Sequence, residues 1–416
     1  LLLPEEKILK GSMKKIIIFT DKYPYGRAET FLEAEMKYFC DSFEQIIIFP
    51  FQKDDCETIR ITPGNVIVRE PLFRNIKRKR IELLYKGIFN TSKIKIFLQE
   101  GFRSQVWKSP SKFRIWLTHF LMIRAIMSFI RKRELIRLFN ETDLLFFNWG
   151  LRWSQILPFL PEDIKPKIVV RFHGSDLYEN LNSDYIPWRK EQIKRISSLI
   201  AVSEAGKNYI SIKYGVPQHK IFLARIGTSD YGLNPFSKTD TIRIVSCSNI
   251  VPVKRVDLIV KILKYLKIKT EWIHFGSGPL RKKVVALTKE VPGHITCQIR
   301  GEVNRGELME FYRNISVDLF INVSCSEGVP VSVMEALSFG IPVIATNAGG
   351  TPEIVSEKNG IVIPIEFNPE TVAENIERLI NSDNYSNLRK GARKTWEEKC
   401  REEKLYPYFI EYLKNL

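Results

Sequence analysis

Two carboxylates, Glu327 and Glu335, stand eight positions apart in the stretch VDLFINVSCSEGVPVSVMEALSFGIPVIATNAGGTPEIV, residues 317 to 355. The apolar run Val317 to Val323 has strand character, a turn of small and polar residues follows, and Gly328 and Pro330 open a helix. The first N–H groups of a helix have no intrahelical acceptor, and its dipole favours negative charge. Val331 and the Gly328-Val329-Pro330 turn before it therefore suit a phosphate. Glu327 lies just before the helix and Glu335 in its second turn, so a ligand over the helix end meets both carboxylates. One such Glu alone reads more readily as a dipole-favoured surface residue. The pair within a strand, turn and helix does not.

Three other stretches carry chemistry-bearing side chains. IRIVSCSNIVPVKRVDLIV, residues 242 to 260, places Lys254 and Arg255 after a strand-like run, although any single Lys also reads as an exposed loop cation. KIVVRFHGSDL, residues 167 to 177, ends a strand in His173 and Asp176. That carboxyl end is where open α/β sheets hold ligands. A lone His is more often structural, and Asp176 either orients it or caps the following helix. YPYGRAE, residues 23 to 29, offers Gly26 for close backbone approach, Arg27 as a phosphate contact, and Glu29 as an acceptor contact or helix start. Phe275 to Gly278 and Arg300 to Val303 supply glycines at strand ends, a weak signal by itself.

These residues need elements to hold them. A chain of 416 residues exceeds the size at which one core usually stops growing, so two domains are expected. Strand-like runs alternate with helical patterns: 14–20, 45–49, 143–147 and 167–172, then 242–246, 271–275, 317–323 and 341–346. That rhythm predicts parallel sheets covered by helices. The Gly, Asn, Pro and Ser cluster at 232–239 reads as a linker, giving domains at 13–232 and 240–395 around a connection at 233–239. The stretch 388–416 reads as helical with an interruption at Pro407. Residues 1–12 read as a tag remnant before Met13, after which no secretory signal follows.

Six scattered cysteines without a C-x-x-C pair favour reduced thiols in a cytosolic protein. Cys325, beside the first stretch, reads as a small buried residue. No D-x-D or H-x-x-x-H spacing occurs, so a divalent metal is not indicated. Fixed positive groups must then meet any phosphate.

The net charge of +17 is uneven: residues 240–416 hold 24 Lys and Arg against 22 Asp and Glu. Most of the surplus lies in Arg74 to Arg137, where 17 basic residues and three acidic ones alternate with aromatics. Core helices with solvated basic faces explain this window, and so does a peripheral surface for anionic lipid or a diphosphate-linked ligand. Nucleic-acid binding fits less well, because the aromatics keep helical spacing and no recognised motif accompanies them. The run Ile115 to Ile130 contains Thr118, His119 and Arg124, and is too short and polar to read as a membrane span.

The Glu327-x7-Glu335 element followed by PVIATNAGGTPEI resembles the retaining GT-B glycosyltransferases of family 4, the group 1 glycosyl transferases. The resemblance implies two Rossmann-like domains facing a central cleft, with the acceptor on 13–232, the nucleotide sugar on 240–395, and 396–416 crossing back to the first domain. It implies transfer of a hexose-type sugar from a UDP- or GDP-sugar to a saccharide hydroxyl with retention of configuration. Surface-polysaccharide or glycolipid assembly at the cytoplasmic face is the implied setting, the protein cytoplasmic or peripheral on the inner membrane. The nucleotide sugar is a co-substrate, and no cofactor is called for.

By the same resemblance Glu327 contacts donor sugar hydroxyls, Glu335 the ribose, and His173 positions the sugar without acting as a base. The family's diphosphate clamp pairs an Arg with a Lys; Lys254 holds the Lys place, whereas Asn249 stands at the Arg place. Either Arg255 supplies the second arm, or Asn249 donates neutral hydrogen bonds while Lys254 and the helix end at Val331 carry the charge. Gly301 and Val303 are expected to face the base edge, with Arg300 stacking. In this chemistry the leaving phosphate takes the acceptor proton on the same face. Two other classes keep the phosphate and ribose contacts: a GT-B-shaped sugar-nucleotide epimerase and a non-catalytic GT-B partner subunit. The two-glutamate element speaks against the first, and Asn249 leaves the second open.

Overall fold

The runs KIIIFT (β1, Lys15–Thr20) and QIIIFP (β2, Gln45–Pro50) lack polar alternation, and in each every residue after the first is buried. Such strands need cover on both faces. The computed structural model describes residues 15–26, 29–53, 58–74, 94–237 and 239–416. The chain forms two units, one taking it up to Ala201 together with Lys207–Leu223 and Tyr406–Leu416, the other comprising Val202–Gly206 and Ala224–Leu405.

In the first unit, β1 and β2 are joined by Val66–Val68 (β3), Leu144–Phe147 (β4), Lys167–Phe172 (β5), Ser198–Ala201 (β6) and Ile221–Leu223 (β7). All pair in parallel, in the order β3-β2-β1-β4-β5-β6-β7. Its helices include Thr30–Ser42 (α1), Ile94–Arg103 (α2), Pro110–Lys132 (α3), Leu135–Asn140 (α4), Arg189–Lys194 (α5) and Glu204–Tyr214 (α6), the last begun by residues of the second unit. Phe19, Phe147 and Trp153 anchor one core layer, with Phe19 and Phe147 stacked at 4.3 Å. Arg171 on β5 is 1% exposed and donates to Glu35 of α1 at 2.8 and 2.5 Å. Removing either partner of such a buried pair strands a charge, at a cost of about 3–5 kcal/mol.

The second unit repeats the plan with Ile242–Cys247 (β8), Thr270–Phe275 (β9), Ile295–Gly301 (β10), Leu319–Asn322 (β11), Val343–Thr346 (β12) and Gly360–Ile363 (β13). These run parallel in the order β10-β9-β8-β11-β12-β13. Around them lie Val256–Leu263 (α7), Arg281–Leu287 (α8), Arg305–Asn314 (α9), Val331–Ser338 (α10), Pro369–Ile380 (α11) and Tyr385–Lys399 (α12). Both sheets reverse their strand order once, at β1/β4 and at β8/β11. A doubly wound sheet leaves a crevice at that reversal, outside the strands' carboxyl ends. The architecture is the α/β GT-B type.

Several boundaries differ from expectation. The strand read at 317–323 is shorter at both ends and that at 341–346 at its start, although Asp318 N still donates to Arg243 O and Pro342 O accepts from Phe320 N beside the ladder. The short strands β3, β6, β7 and β13 lie below the reach of apolar patterning, and in the seven-residue β10 only Ile295 is buried, which leaves no apolar run. Within the stretch expected as a linker at 233–239, Leu233, Pro235, Phe236 and Ser237 are exposed, while the buried Asn234 donates to the carbonyls of Tyr312 and Ile315 and accepts from Val317 N. The C-terminal helical stretch breaks at Cys400 and Arg401, and Pro407 lies inside the final helix, Glu402–Lys414 (α13). The break is set by pairing of Arg401 with Thr228, whose N–H donates to Cys400 O. From Tyr406 onward α13 serves the first unit: Phe409 meets Phe39 and Phe146, and Tyr412 stacks on Phe222 at 3.6 Å.

Candidate functional site

At the β8/β11 reversal two loops meet. The loop after β8 carries Asn249 to Arg255 and the loop after β11 carries Val323 to Pro330, and Cys325 N donates to Val253 O at 2.9 Å to tie them. Lys254 Nζ donates to Glu327 Oε1 at 2.6 Å. Asn322, the last residue of β11, donates its amide to the same oxygen at 3.3 Å and accepts from Ser324 N, fixing the turn. Glu327 is 9% exposed, and the Lys254 side chain keeps 26%. The cation thus stands at the opening while the carboxylate lies beneath it.

The helix after this loop, α10, begins at Val331 with Pro330 as its cap in extended conformation. Its leading amides lack intrahelical acceptors by construction. The Gly349-Gly350 turn after β12 packs directly beneath: Gly350 N donates to Gly328 O at 2.8 Å. A Cβ on Gly349 would sit 1.8 Å from Glu327 O, and its φ of +54° is one that side chains disfavour. The double glycine therefore lets one backbone run against another and holds Glu327 in place.

Glu335 is buried on α10, and Arg305 Nε at the start of α9 lies 3.1 Å from its Oε1. Burial pushes the Glu335 carboxyl above its ordinary pKa, with Arg305 opposing the rise. Sequence reasoning misses Arg305. The Asn304-x-x-Glu307 capping box, formed in the structure, signals where α9 starts but not that its first residue reaches Glu335.

Other expected contacts are placed differently. Arg255, at φ 48°, donates through Nε to Val323 O at 2.8 Å and through Nη2 to Ile365 O at 2.7 Å. It ties loops together, and its Nη1 also donates to Glu366 Oε1 at 3.3 Å. Asn249 is exposed in the loop after β8. Gly301 accepts from Gly276 N at 2.7 Å, so its carbonyl is engaged within the sheet edge. Arg300 is exposed and lies over the rings of Phe275 and Phe311 at 5.9 and 5.5 Å, while Val303 is half-buried.

In the first unit, His173 is 8% exposed at the end of β5. Its Nε2 donates to Asn148 O at 3.0 Å, and its ring packs on Trp149 at 4.2 Å. Burial and then the nearby Arg171 depress its pKa to about 3, so the imidazole is neutral at physiological pH. Asp176 accepts from the backbone N–H of His173 and of Gly150, at 2.8 and 2.5 Å, which makes it a loop organiser. Its pKa is raised to about 6 by burial. Glu29 turns inward and accepts from the amides of Asp21, Lys22 and Tyr23 and from Trp149 Nε1 at 2.5 Å. That carboxylate builds the loop and is not open to an acceptor. Gly26, at φ 62°, donates its N–H to Thr58 O. Arg27, Cys56, residues 1–14 and the 75–93 part of the basic window lie outside the described residues. Among the described residues no three His, Cys, Asp or Glu gather as a metal cluster.

Residues 234–395, which hold both glutamates, Lys254 and Arg305, match the family model described as glycosyl transferases group 1. In this segment the chain is similar to the group 1 glycosyl transferases. The chain is 26% identical over 214 residues to the putative colanic acid biosynthesis glycosyltransferase WcaL of Escherichia coli, covering 48% of this chain and 52% of that one. It is 23% identical over 265 residues to the putative teichuronic acid biosynthesis glycosyltransferase TuaC of Bacillus subtilis, covering 61% of this chain and 64% of that one. The chain thus spans between about half and just under two thirds of the length of these curated relatives. Among solved structures it is similar to Anabaena Alr3699/HepE in complex with UDP-glucose, with a TM-score of 0.64 at 15% identity over 96% of this chain and 100% of that one. Sucrose-phosphate synthase of Thermosynechococcus elongatus gives 0.69 at 13% identity over 97% and 99%. At these identities the structures speak for the fold.

Proposed function

We propose that the protein moves a hexose-type sugar from a nucleoside diphosphate donor, a UDP- or GDP-sugar, to a hydroxyl of a saccharide or lipid-linked saccharide, with retention at the anomeric carbon. The product belongs to surface-polysaccharide or glycolipid assembly at the cytoplasmic face. The observation that carries this reading is the Lys254–Glu327 pair beside the N-terminus of α10. A diphosphate over that helix end draws Lys254 toward its oxygens, and the helix dipole adds to the same charge stabilisation. Glu327, relieved of Lys254, accepts from sugar hydroxyls. Glu335, held by Arg305, accepts from the ribose. With a cation and a helix terminus on the leaving group, the reaction proceeds without a divalent metal.

A neutral His173 with its Nε2–H engaged is suited to holding a sugar and not to taking a proton. The acceptor proton therefore passes to the departing phosphate oxygen on the same face, and no enzyme nucleophile forms a bond. The WcaL name concerns colanic acid biosynthesis, and the HepE structure holds UDP-glucose; both agree in kind with this donor and setting. Calorimetric titration with UDP- and GDP-sugars, followed by turnover with and without EDTA, tests the reading. Binding of a nucleotide sugar, hydrolysis or transfer unaffected by chelation, and a product of unchanged anomeric configuration are expected. No binding of any nucleotide sugar, or turnover abolished by EDTA and restored by Mg²⁺, would overturn it.

A further inference from the structure

Residues 94–118 of the first unit turn much apolar surface outward. α2 and the first turns of α3 expose Leu98 by 42%, Phe102 by 68%, Trp107 by 48%, Phe113 by 41% and Leu117 by 39%. The rings form one patch: Phe102 meets Trp107 edge-on at 5.3 Å, and Trp107 and Phe113 each lie 5.6 Å from Trp116. Its base is firm, because Trp116 stacks on Phe97 at 3.8 Å and donates to the Phe97 carbonyl. Gly101 permits this approach, since a Cβ there would come within 2.9 Å of Trp107 and 3.0 Å of Trp116.

Apart from Glu191, which pairs with Arg103, the charges that accompany the patch are basic. Residues 94–118 contain Lys95, Arg103, Lys108, Lys112 and Arg114 against a single acid, Glu100. Glu100 is 4% exposed and accepts from Ser104, Tyr185 and Arg103, so it shows no charge outward. α3 is long and apolar enough to cross a bilayer by length and composition. Its later part, however, is spent on the core through Met122, Ile123, Ala125, Ile126 and Ile130, which leaves the outward aromatic end unexplained by packing.

We propose that this patch docks on an anionic lipid bilayer, with Phe102, Trp107 and Phe113 entering the headgroup boundary while Lys95, Lys108 and Arg114 meet lipid phosphates. Exposed aromatics ringed by cations match such a surface in both polarity and charge; an apolar protein partner would leave the cations unmet. The basic triplet Arg131, Lys132 and Arg133 is a weaker anchor, because Arg133 already pairs with Glu70 at 2.6 Å. The docking surface belongs to the first unit and rests on the transferase reading only for its purpose, presenting the protein to a lipid-linked acceptor.

Flotation of the full chain with vesicles of phosphatidylcholine, alone or with about a third phosphatidylglycerol, tests it. Wild type is expected to float with the anionic vesicles at low salt and to be released by salt. Phe102→Ser with Phe113→Ser should lower the bound fraction about tenfold or more, and Lys95→Gln with Lys108→Gln and Arg114→Gln should lower binding to anionic vesicles selectively. Both variants should keep nucleotide-sugar hydrolysis and native circular dichroism. Wild type that ignores both vesicle types, or a Phe102/Phe113 variant that binds as wild type does, overturns the proposal. Flotation without any donor turnover would count against the transferase reading alone.

Discussion

Lys254 and Glu327 are 73 residues apart in the chain, yet Nζ and Oε1 meet at 2.6 Å because their loops leave adjacent parallel strands at the point where the sheet changes direction. The pair is partly buried, so each charge keeps the other from an uncompensated site. Under the proposed function, a phosphate that competes for Lys254 would release Glu327 as an acceptor and so couple donor binding to its exposure.

Lys254→Ala should lower kcat about 100-fold, the usual cost of losing a charge contact that strengthens in the transition state, with a smaller change in KM. Lys254→Arg should recover part of the loss. Steady-state kinetics with the best donor from the titration panel checks this. Wild-type kcat in Lys254→Ala would remove it from the chemistry.

The second pair predicts a pH effect. Burial raises the Glu335 pKa and Arg305 opposes that rise, so removing Arg305 lets the carboxyl climb further and carry less charge near neutrality. Arg305→Ala should weaken nucleotide binding, and more at pH 6 than at pH 8, where Glu335 is more fully ionised. Calorimetry across that range measures the ratio to wild type. A ratio independent of pH would mean that Arg305 does not act through Glu335.

Gly349→Ala forces a Cβ to within 1.8 Å of Glu327 O at a φ of +54°. It should cost about 3 kcal/mol or more in chemical denaturation, combining backbone strain with a displaced loop. At Gly293 a Cβ would meet nothing within 4 Å. Gly293→Ala should therefore stay within about 0.5 kcal/mol of wild type, and equal effects of the two changes would refute the account of the double-glycine turn.

His173 should remain neutral from pH 5 to 8, because its folded pKa is about 3. Its ordinary value is near 6.5, so the unfolded chain binds the proton more tightly, and stability falls as pH drops from about 6.5 toward 3. Asp176 acts oppositely: its pKa of about 6 exceeds the unfolded value of about 3.9, so its contribution favours the folded state at the acid end and is lost as pH rises through 6. His173→Gln should flatten the acid limb of the stability curve, measured by denaturation between pH 4 and 7. A resolved imidazole titration near pH 6.5 by NMR would contradict this burial.

Much of the candidate site was legible from local chemistry. Glu327, Glu335 and Lys254 sit where strand patterns give way to turns, and helix-start signals are short-range properties of the chain. Chain length and the alternation of apolar strands with helices likewise pointed to two parallel-sheet units, and the long runs such as KIIIFT announced their own burial. Tertiary structure decided the partners. Arg305 reaches Glu335 and Arg255 turns to the carbonyls of Val323 and Ile365 only because separate loops converge, which no spacing encodes. Asn234 ties a segment of linker-like composition to Val317, and Glu29 closes on three backbone amides, for the same reason: hydrogen-bond satisfaction is settled among residues distant in sequence. The basic window shows the division most clearly. Composition supplied its charge, but only folding buried Trp116 and Glu100 while leaving Phe102, Trp107 and Phe113 outside.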